Sequence, residues 1–427
     1  MKSLDVLLAT NPEQPQTIGR LFIQNRQIFF EYNTEWLSEG FSVSPYSLPL
    51  SSGLIKDDSG IWQGLHGVFN DSLPDGWGLL LMDREMRKAG INPRNITPLD
   101  RLAWLGHRTM GALVYEPSDG PSGDPLMVDL HSMANNAQQL FAGTSETVLP
   151  ELFRAGGSPG GARPKALIAI NGDLITTADG DIPTGYTPWL VKFNAKGDFK
   201  DAGKIEFAYS QMAKDAGIDM PETQLLEGEY FAVRRFDRAN NQRIHVHTLG
   251  NLIASDFRIP SLDYADLFKV VLDITKSRVE LLKAFHQMIF NIATHNRDDH
   301  SKNFAFIWNA VLKKWQLSPA YDLMYNDGVY GEHTMTVNGE GKKPSVFDIL
   351  ALARTFDVVN EVSQLLNETG NVIAKADDYF HEAGVSPDSI KQLKHAGFGE
   401  LFKPGLSDDF DIGRGELPDD KPRRKFD

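Results

Sequence analysis

Apolar residues recur along this chain with two periods, and the changes of period mark where its construction changes. Residues 17–23 and 27–32 are short runs rich in β-branched and aromatic side chains on either side of Gln24-Asn25-Arg26, which predicts a β-hairpin. Leu79, Leu80, Met82 and Met86 predict a helix over 78–88, and Leu99, Leu102, Ala103 and Leu105 a second over 98–105. Residues 111–115 read as a strand closing this first region. The clearest linker signal follows, Pro117-Ser118-Asp119-Gly120-Pro121-Ser122-Gly123-Asp124-Pro125, and a boundary is placed there.

Beyond it a helix is expected over 129–141, strands over 166–170 and 189–193, and a helix over 204–216 with Phe207 and Met212 inward. Residues 229–238 form an apolar strand that runs into charges. Helical periodicity then dominates, over 264–274, 278–294, 345–353, 358–383 and 387–395. Two strands, 303–308 and 314–317, interrupt it. Ser345 is a candidate N-cap, with Asp348 at the capping-box position. A β-rich opening, a mixed middle and a helical remainder predict an α+β fold.

Composition narrows the function class. A chain of 427 residues suggests two or three structural units. With 41% hydrophobic and 23% charged residues it reads as an ordinary globular protein. The net charge of −14 argues against DNA or RNA binding by this chain alone. The absence of cysteine excludes disulfides and thiolate chemistry and fits the cytosol. The first residues carry no long apolar core of a signal peptide, and no apolar run reaches the length of a membrane span. Residues 416–425 are polar and are expected to be disordered.

The candidate chemistry centres on His295-Asn296-Arg297-Asp298-Asp299-His300-Ser301-Lys302-Asn303, which lies between an amphipathic helix and a hairpin. The chain then returns as Ser318-Pro319-Ala320-Tyr321-Asp322-Leu323. Asp298 and Asn303 are five apart, as in the Asp-x-x-x-x-Asn of the protein-kinase catalytic loop. Phosphoryl transfer needs a carboxylate to accept the attacking hydroxyl's proton, and hard oxygen ligands for magnesium. Asp298 has the chemistry for the first role, Asn303 and Asp322 for the second. Two other readings of the segment stay open. One is a solvated helix-to-strand turn. The other is a metal-hydrolase cluster of His295, Asp298, Asp299 and His300, although no His-Glu-x-x-His spacing accompanies it.

Upstream, Gly156-Gly157-Ser158-Pro159-Gly160-Gly161-Ala162-Arg163-Pro164-Lys165 is a glycine-rich loop whose backbone N–H groups could approach a phosphate, or which is only mobile. Lys192 is a lone lysine in an apolar strand, able to reach nucleotide phosphates or to point to solvent. Glu206 stands in the first turn of the next helix, where it could hold Lys192 or simply favour the helix N-terminus. Arg235 and Asp237 could lie beside an adenine or form a structural ion pair. The order glycine loop, strand Lys, helix Glu, Asp, Asn, Asp favours the kinase reading over any single motif.

Together these residues resemble the HipA family, bacterial serine/threonine kinase toxins of type II toxin–antitoxin pairs, over nearly the whole chain. Leu48-Pro49-Leu50 and residues 64–75 fit its N-terminal segments. Residues 158–165 match its Ser-x-Gly-Gly-Ala-x-Pro-Lys loop, and 235–238 its Arg-Phe-Asp-Arg box. Residues 298–303 match Asp-x-His-x-Lys-Asn, and 319–322 match Pro-x-Tyr-Asp. The resemblance implies a two-lobed protein-kinase-like fold with an extra N-terminal β-rich subdomain over 1–118. It further implies a kinase N-lobe-like nucleotide-binding region over 126–238, a mainly helical C-lobe over 239–412 and a disordered tail over 413–427.

The resemblance also implies an activity: ATP- and Mg2+-dependent phosphorylation of Ser or Thr in a protein, an aminoacyl-tRNA synthetase being a known kind of target. Asp298 would be the base, and Asn303 and Asp322 the Mg2+ ligands. Lys192, Glu206, Gly160, Gly161, Arg234, Phe236 and Lys302 would serve the nucleotide. Ser158 would be autophosphorylated, displacing the glycine loop. The implied partner is a small helix-turn-helix antitoxin on a separate chain, with DNA reached only through it, no membrane, and a cytoplasmic location. Arg234 stands where the family pattern has an acidic residue, and residues 245–250 are less polar and acidic than expected. Two rivals remain. The loop also resembles the Asp-Arg-His-x-x-Asn of phosphoinositide kinases, which would make this a lipid or small-molecule kinase. A non-catalytic ATP-binding partner or co-repressor of an antitoxin would keep the fold without turnover.

Overall fold

The computed structural model describes residues 3–156, 161–178, 180, 182–195, 197–239 and 241–403. Among them the expected hairpin is part of an antiparallel sheet of β1 (Ser3–Leu8), β2 (Gln16–Gln24), β3 (Gln27–Tyr32), β4 (Ile55–Lys56) and β5 (Leu113–Glu116). The strands lie in the order β4-β3-β2-β1-β5. Gln24 pairs with Gln27 across Asn25 and Arg26, whose φ values of 52° and 64° give the two-residue turn whose twist suits a hairpin. Ile18, Leu21, Phe30 and Tyr32 face inward against Val68, Phe69, Leu99, Leu102 and Tyr115. The sequence pattern assigns no strand to β1, which is held by partners on both sides rather than by its own periodicity.

A helix, Gly76–Lys88, leads out of this layer two residues earlier than the pattern suggests. Its apolar side is shared. Met82 and Met86 pack on Trp104 and Leu105, whereas Trp77 and Leu81 enter the core of a second sheet. That sheet is formed by β6 (Lys165–Asn171), β7 (Leu174–Thr177), β8 (Thr187–Lys192), β9 (Thr223–Leu226) and β10 (Tyr230–Arg234), ordered β7-β6-β8-β10-β9 and antiparallel throughout. The helices Leu130–Phe141 and Pro150–Gly156 cover one face. The Ala202–Asp215 helix joins the core of the helical body beyond.

The helical body is organised around Arg278–Ala293, a helix with almost every residue from Ala284 onward buried. It packs with Tyr264–Thr275, Val346–Thr355 and Val359–Ile373. Ser345 and Asp348 do form a capping box. Two expectations change. Residues 358–383 are two helices, Val359–Ile373 and Ala376–Glu382, because a break near Lys375 turns Phe380 onto Tyr209 and Phe398. Asn303 does not start a strand. It ends a 3-10 turn, Ser301–Asn303, and the strand is Ala305–Asn309. That strand pairs with Lys314–Leu317 and Val246–Thr248. No helix among the described residues is long and apolar enough to cross a membrane. The tail over 413–427 lies outside the described residues.

Two buried polar clusters join the layers. Asp237 accepts Arg235 Nε and Nη2 at 2.9 and 2.8 Å, Arg238 Nη1 at 2.7 Å and the Gly111 N–H at 2.8 Å. Burial would raise its pKa, but the two arginines outweigh it and hold it well below the usual carboxylate range. Of the two openings left for the Arg-Phe-Asp-Arg box, the structural ion pair is the one formed. In the second cluster Ser44 Oγ meets His247 Nε2 at 2.9 Å, and His247 Nδ1 meets Asp71 at 2.6 Å. This is the connectivity of a hydrolase triad. Ser44 and His247 are both 0% exposed, so no substrate carbonyl can reach the hydroxyl, and the set is a structural staple.

Candidate active site

The site lies in a cleft of about 1020 Å³ lined by the second sheet, the helical body and the edge of the N-terminal layer. β8 ends on Lys192, and the strand register sets it directly beside Lys165, the first residue of β6. Lys192 Nζ bonds to both Glu206 and Asp322. Of the two roles left open for Glu206, the bond to Lys192 is the one formed, and the side chain is 4% exposed. Burial would lower the Lys192 pKa, but the two carboxylates outweigh it and raise it. Asp322 is one of the two partners. Burial pushes it up, Lys192 and Lys165 pull it further down, and it ends well below the ordinary range. Glu206, as second partner in a dry position, is left with a raised pKa, burial being the main cause. Lys192 is thus held between two carboxylates, Asp322 and Glu206.

Asp322 reaches this position by a strained backbone. It and His295 both hold φ at 58°, a region non-glycine residues rarely occupy and one that clusters at functional sites. Asn296 Nδ2 donates to the Asp322 carbonyl at 3.3 Å, tying the two segments together. Asp298 stands on the same loop, its side chain 49% exposed, with His300 Nε2 3.8 Å from Oδ1. Its pKa is raised. The protein walls that shield it from water are the main cause, Asp322 and Asp299 add to it, and His300 opposes. Asn303 Nδ2 donates to the Asp298 carbonyl at 2.7 Å, which commits the amide nitrogen to the loop and leaves its oxygen as the group to offer a cation. Asn303 and Asp322 thus offer hard oxygen donors of the kind Mg2+ takes.

The other expected residues divide. Gly161 has φ 93°, a left-handed backbone that favours glycine at the loop's end. Phe236 packs on Tyr321 with ring centroids 5.6 Å apart and lines the cleft. Arg234 is at the cleft rim, 45% exposed, and pairs with Glu222 at 3.3 Å. Lys302 turns to Asp75 at 2.6 Å and over the Phe257 ring. Ser158 and Gly160 lie outside the described residues.

The metal-hydrolase alternative does not survive the geometry. Asp299 is buried and consumed by Tyr264 Oη, His333 Nδ1 and the Thr334 N–H, each at 2.8 Å. His295 stacks on Tyr325, and burial pushes its pKa down to about 4. Among the described residues no group of three or more His, Cys, Asp or Glu could hold a metal ion. Sequence reasoning also missed three contributors. Lys165 had a signal, its place where the glycine loop becomes a strand. Tyr321, whose Oη donates to the Lys302 carbonyl at 2.6 Å, sat inside a quoted motif. Asp75 closed the quoted segment 64–75, but its partners are far away in sequence, so no role could be read for it.

Comparison with known proteins gives a consistent answer. The HipA-like C-terminal domain matches residues 157–377, and the HipA N-terminal domain matches residues 9–116. "Putative kinase Y4dM" of Sinorhizobium fredii is 25% identical over 358 residues, covering 78% of this chain and 80% of that protein. The serine/threonine-protein kinase toxin HipA of Shewanella oneidensis is 24% identical over 330 residues, covering 69% and 70%. A solved structure of HipA with HipB and its operator DNA, from Shewanella oneidensis, superposes with a TM-score of 0.69 at 18% identity. That match covers 93% of this chain and 96% of the other. It shows the expected two-lobed fold with its additional N-terminal layer.

Proposed function

This chain belongs to the HipA family, and on that premise we propose that it is an ATP- and Mg2+-dependent serine/threonine protein kinase, the toxin of a toxin–antitoxin pair. The observation that carries the reading is the Lys192 ammonium held between Glu206 and Asp322, with Asp298 and Asn303 on the facing loop. Kinases need a positioned lysine, a metal-binding aspartate and a base in one cleft.

In this reading Lys192 and Lys165 hold ATP phosphates, and Glu206 keeps Lys192 from following Asp322 out of position. Gly161 lets the loop backbone approach the nucleotide, together with Gly160. Phe236 and Arg234 flank the nucleotide side. Asn303 and Asp322 hold Mg2+, which when bound neutralises phosphate charge. Asp298 orients the acceptor hydroxyl and takes its proton, and a raised pKa makes its carboxylate the stronger base. Catalysis rests on positioning and charge, with no covalent work by the protein. Lys302, paired with Asp75, acts on the loop rather than on the nucleotide. Substrates are protein hydroxyls, an aminoacyl-tRNA synthetase being the family's example, and Ser158 is the autophosphorylation site. A small helix-turn-helix antitoxin brings DNA to an acidic cytoplasmic toxin that would repel it.

Intact-mass measurement of the purified chain with ATP and Mg2+, beside Asp298→Asn, tests the reading. One phosphate gained at Ser158 by the wild type and absent from the variant is the expected result. An unmodified starting protein that neither gains mass nor consumes ATP would leave the non-catalytic binding protein as the better reading. Label from ATP entering lipid rather than protein in a lysate would favour the lipid-kinase rival. Lys192→Met is expected to lower kcat/KM for ATP by about 10²-fold, as loss of one preorganised charge contact does. Unchanged steady-state kinetics in that variant would remove Lys192 from the phosphate site.

A further inference from the structure

Asp75 brings the N-terminal layer into the cleft, and its carboxylate has given up its local job. Asp75 occupies the N-cap position of the Gly76–Lys88 helix in extended backbone, where an aspartate ordinarily accepts an N–H of its own first turn. Its side chain makes no capping bond. Oδ1 accepts the Gly161 N–H, and Oδ2 pairs with Lys302 Nζ at 2.6 Å. The two side chains are only 21% and 14% exposed. The same helix end grips the loop by other bonds. The Trp77 N–H donates to the Gly161 carbonyl at 3.0 Å and Trp77 Nε1 to the Lys165 carbonyl at 2.9 Å. Gly76 has φ 39°, and a Cβ there would come within 2.6 Å of Ala162 Cα, so helix and loop are in direct backbone contact.

Both partners of Asp75 belong to the chemistry. Gly161 ends the glycine-rich loop four residues before Lys165, and Lys302 lies between Asp298 and Asn303. We infer that Asp75 is a positioning residue that registers the glycine-rich loop on the catalytic loop, so the active site is complete only with the N-terminal layer docked. Its consequence for rate rests on the kinase reading above. The contact itself does not. An ordinary surface ion pair would contribute little and could be lost without effect on either loop. Here one carboxylate holds two loops whose groups must keep sub-ångström registry.

The test uses the full-length chain with Asp75→Asn and Asp75→Ala. The amide retains an acceptor for Gly161 but loses the charge for Lys302, whereas alanine loses both. Hydrogen exchange of peptides covering 161–165 is expected to speed up by about tenfold in Asp75→Ala, with β1–β3 unchanged, as for local opening. The kcat per folded molecule is expected to fall in the order wild type, Asn, Ala, by about 10–100-fold at the end of the series, since a small misplacement costs that much. KM for ATP should change far less. Unchanged exchange at 161–165 overturns the inference. Faster exchange with unchanged kcat, or a fall only in thermal midpoint, also overturns it and leaves Asp75 purely structural. Wild-type protein with no phosphoryl transfer, or an Asp298→Asn variant that transfers normally, would instead count against the kinase reading. The exchange result would then still decide the contact.

Discussion

Asp298→Asn is expected to lower the rate of phosphoryl transfer by about 10²–10⁴-fold, the range carried by a general base, and to leave the melting temperature unchanged. The structure separates the two effects. The loop's shape depends on the Asp298 carbonyl, which accepts Asn303 Nδ2, and on the neighbouring Asp299, fixed by Tyr264, His333 and Thr334. The Asp298 carboxyl contributes to neither. It projects into the cleft, half-exposed, with His300 Nε2 3.8 Å from Oδ1. Asparagine keeps the size and cannot take a proton. Initial rates with ATP and Mg2+, read beside a thermal melt, check both halves. A variant retaining a third or more of the wild-type rate would show that the proton goes elsewhere. Asp322→Asn is the useful companion, because it should lose Mg2+-dependent rate while Glu206 still holds Lys192.

Asp237→Ala is expected to destabilise the chain by about 3–5 kcal/mol, the usual result of removing one partner from a buried charge cluster. Arg235 and Arg238 are 2% and 3% exposed, and each would lose the charge-assisted bond that Asp237 supplies. The Gly111 N–H would lose its acceptor too. Since Gly111 and Thr109 are in the N-terminal layer, the damage falls on its attachment to the second sheet. The folded pKa of Asp237 lies below its unfolded value. Its contribution is therefore complete at neutral pH and is lost as pH falls below about 4. Urea midpoints of wild type and variant at pH 7 give the magnitude. A loss under about 1 kcal/mol would mean that the carbonyls already bound by Arg238 suffice for it, as they do for exposed arginines.

Much of the local architecture could be read directly from residue order. The hairpin around Asn25-Arg26, the helix that turns Glu206 inward and the Ser345–Asp348 capping box depend on side chains within a few positions of one another, and on periods of two or 3.6. The catalytic-loop motif was visible for the same reason. Its Asp298–Asn303 bond closes over five residues, so spacing alone constrains it. The same pattern could not show that Asn303 sits in a 3-10 turn, or that 358–383 bends near Lys375, since both follow from what the segment packs against.

What makes these pieces a site was decided only in three dimensions. Lys192 and Asp322 are 130 residues apart, Lys302 and Asp75 227, and Asp237 and Gly111 126. Nothing in a single sequence ties such positions together. Their contact requires that separately formed sheets and helices dock in one arrangement, and burial in that arrangement sets how the charge is shared. Arg235 and Arg234 are neighbours in sequence, yet one is locked under Asp237 and the other stands 45% exposed at the cleft rim. Residue order supplied the chemistry of each group. Docking of the layers determined which groups meet and which are dry.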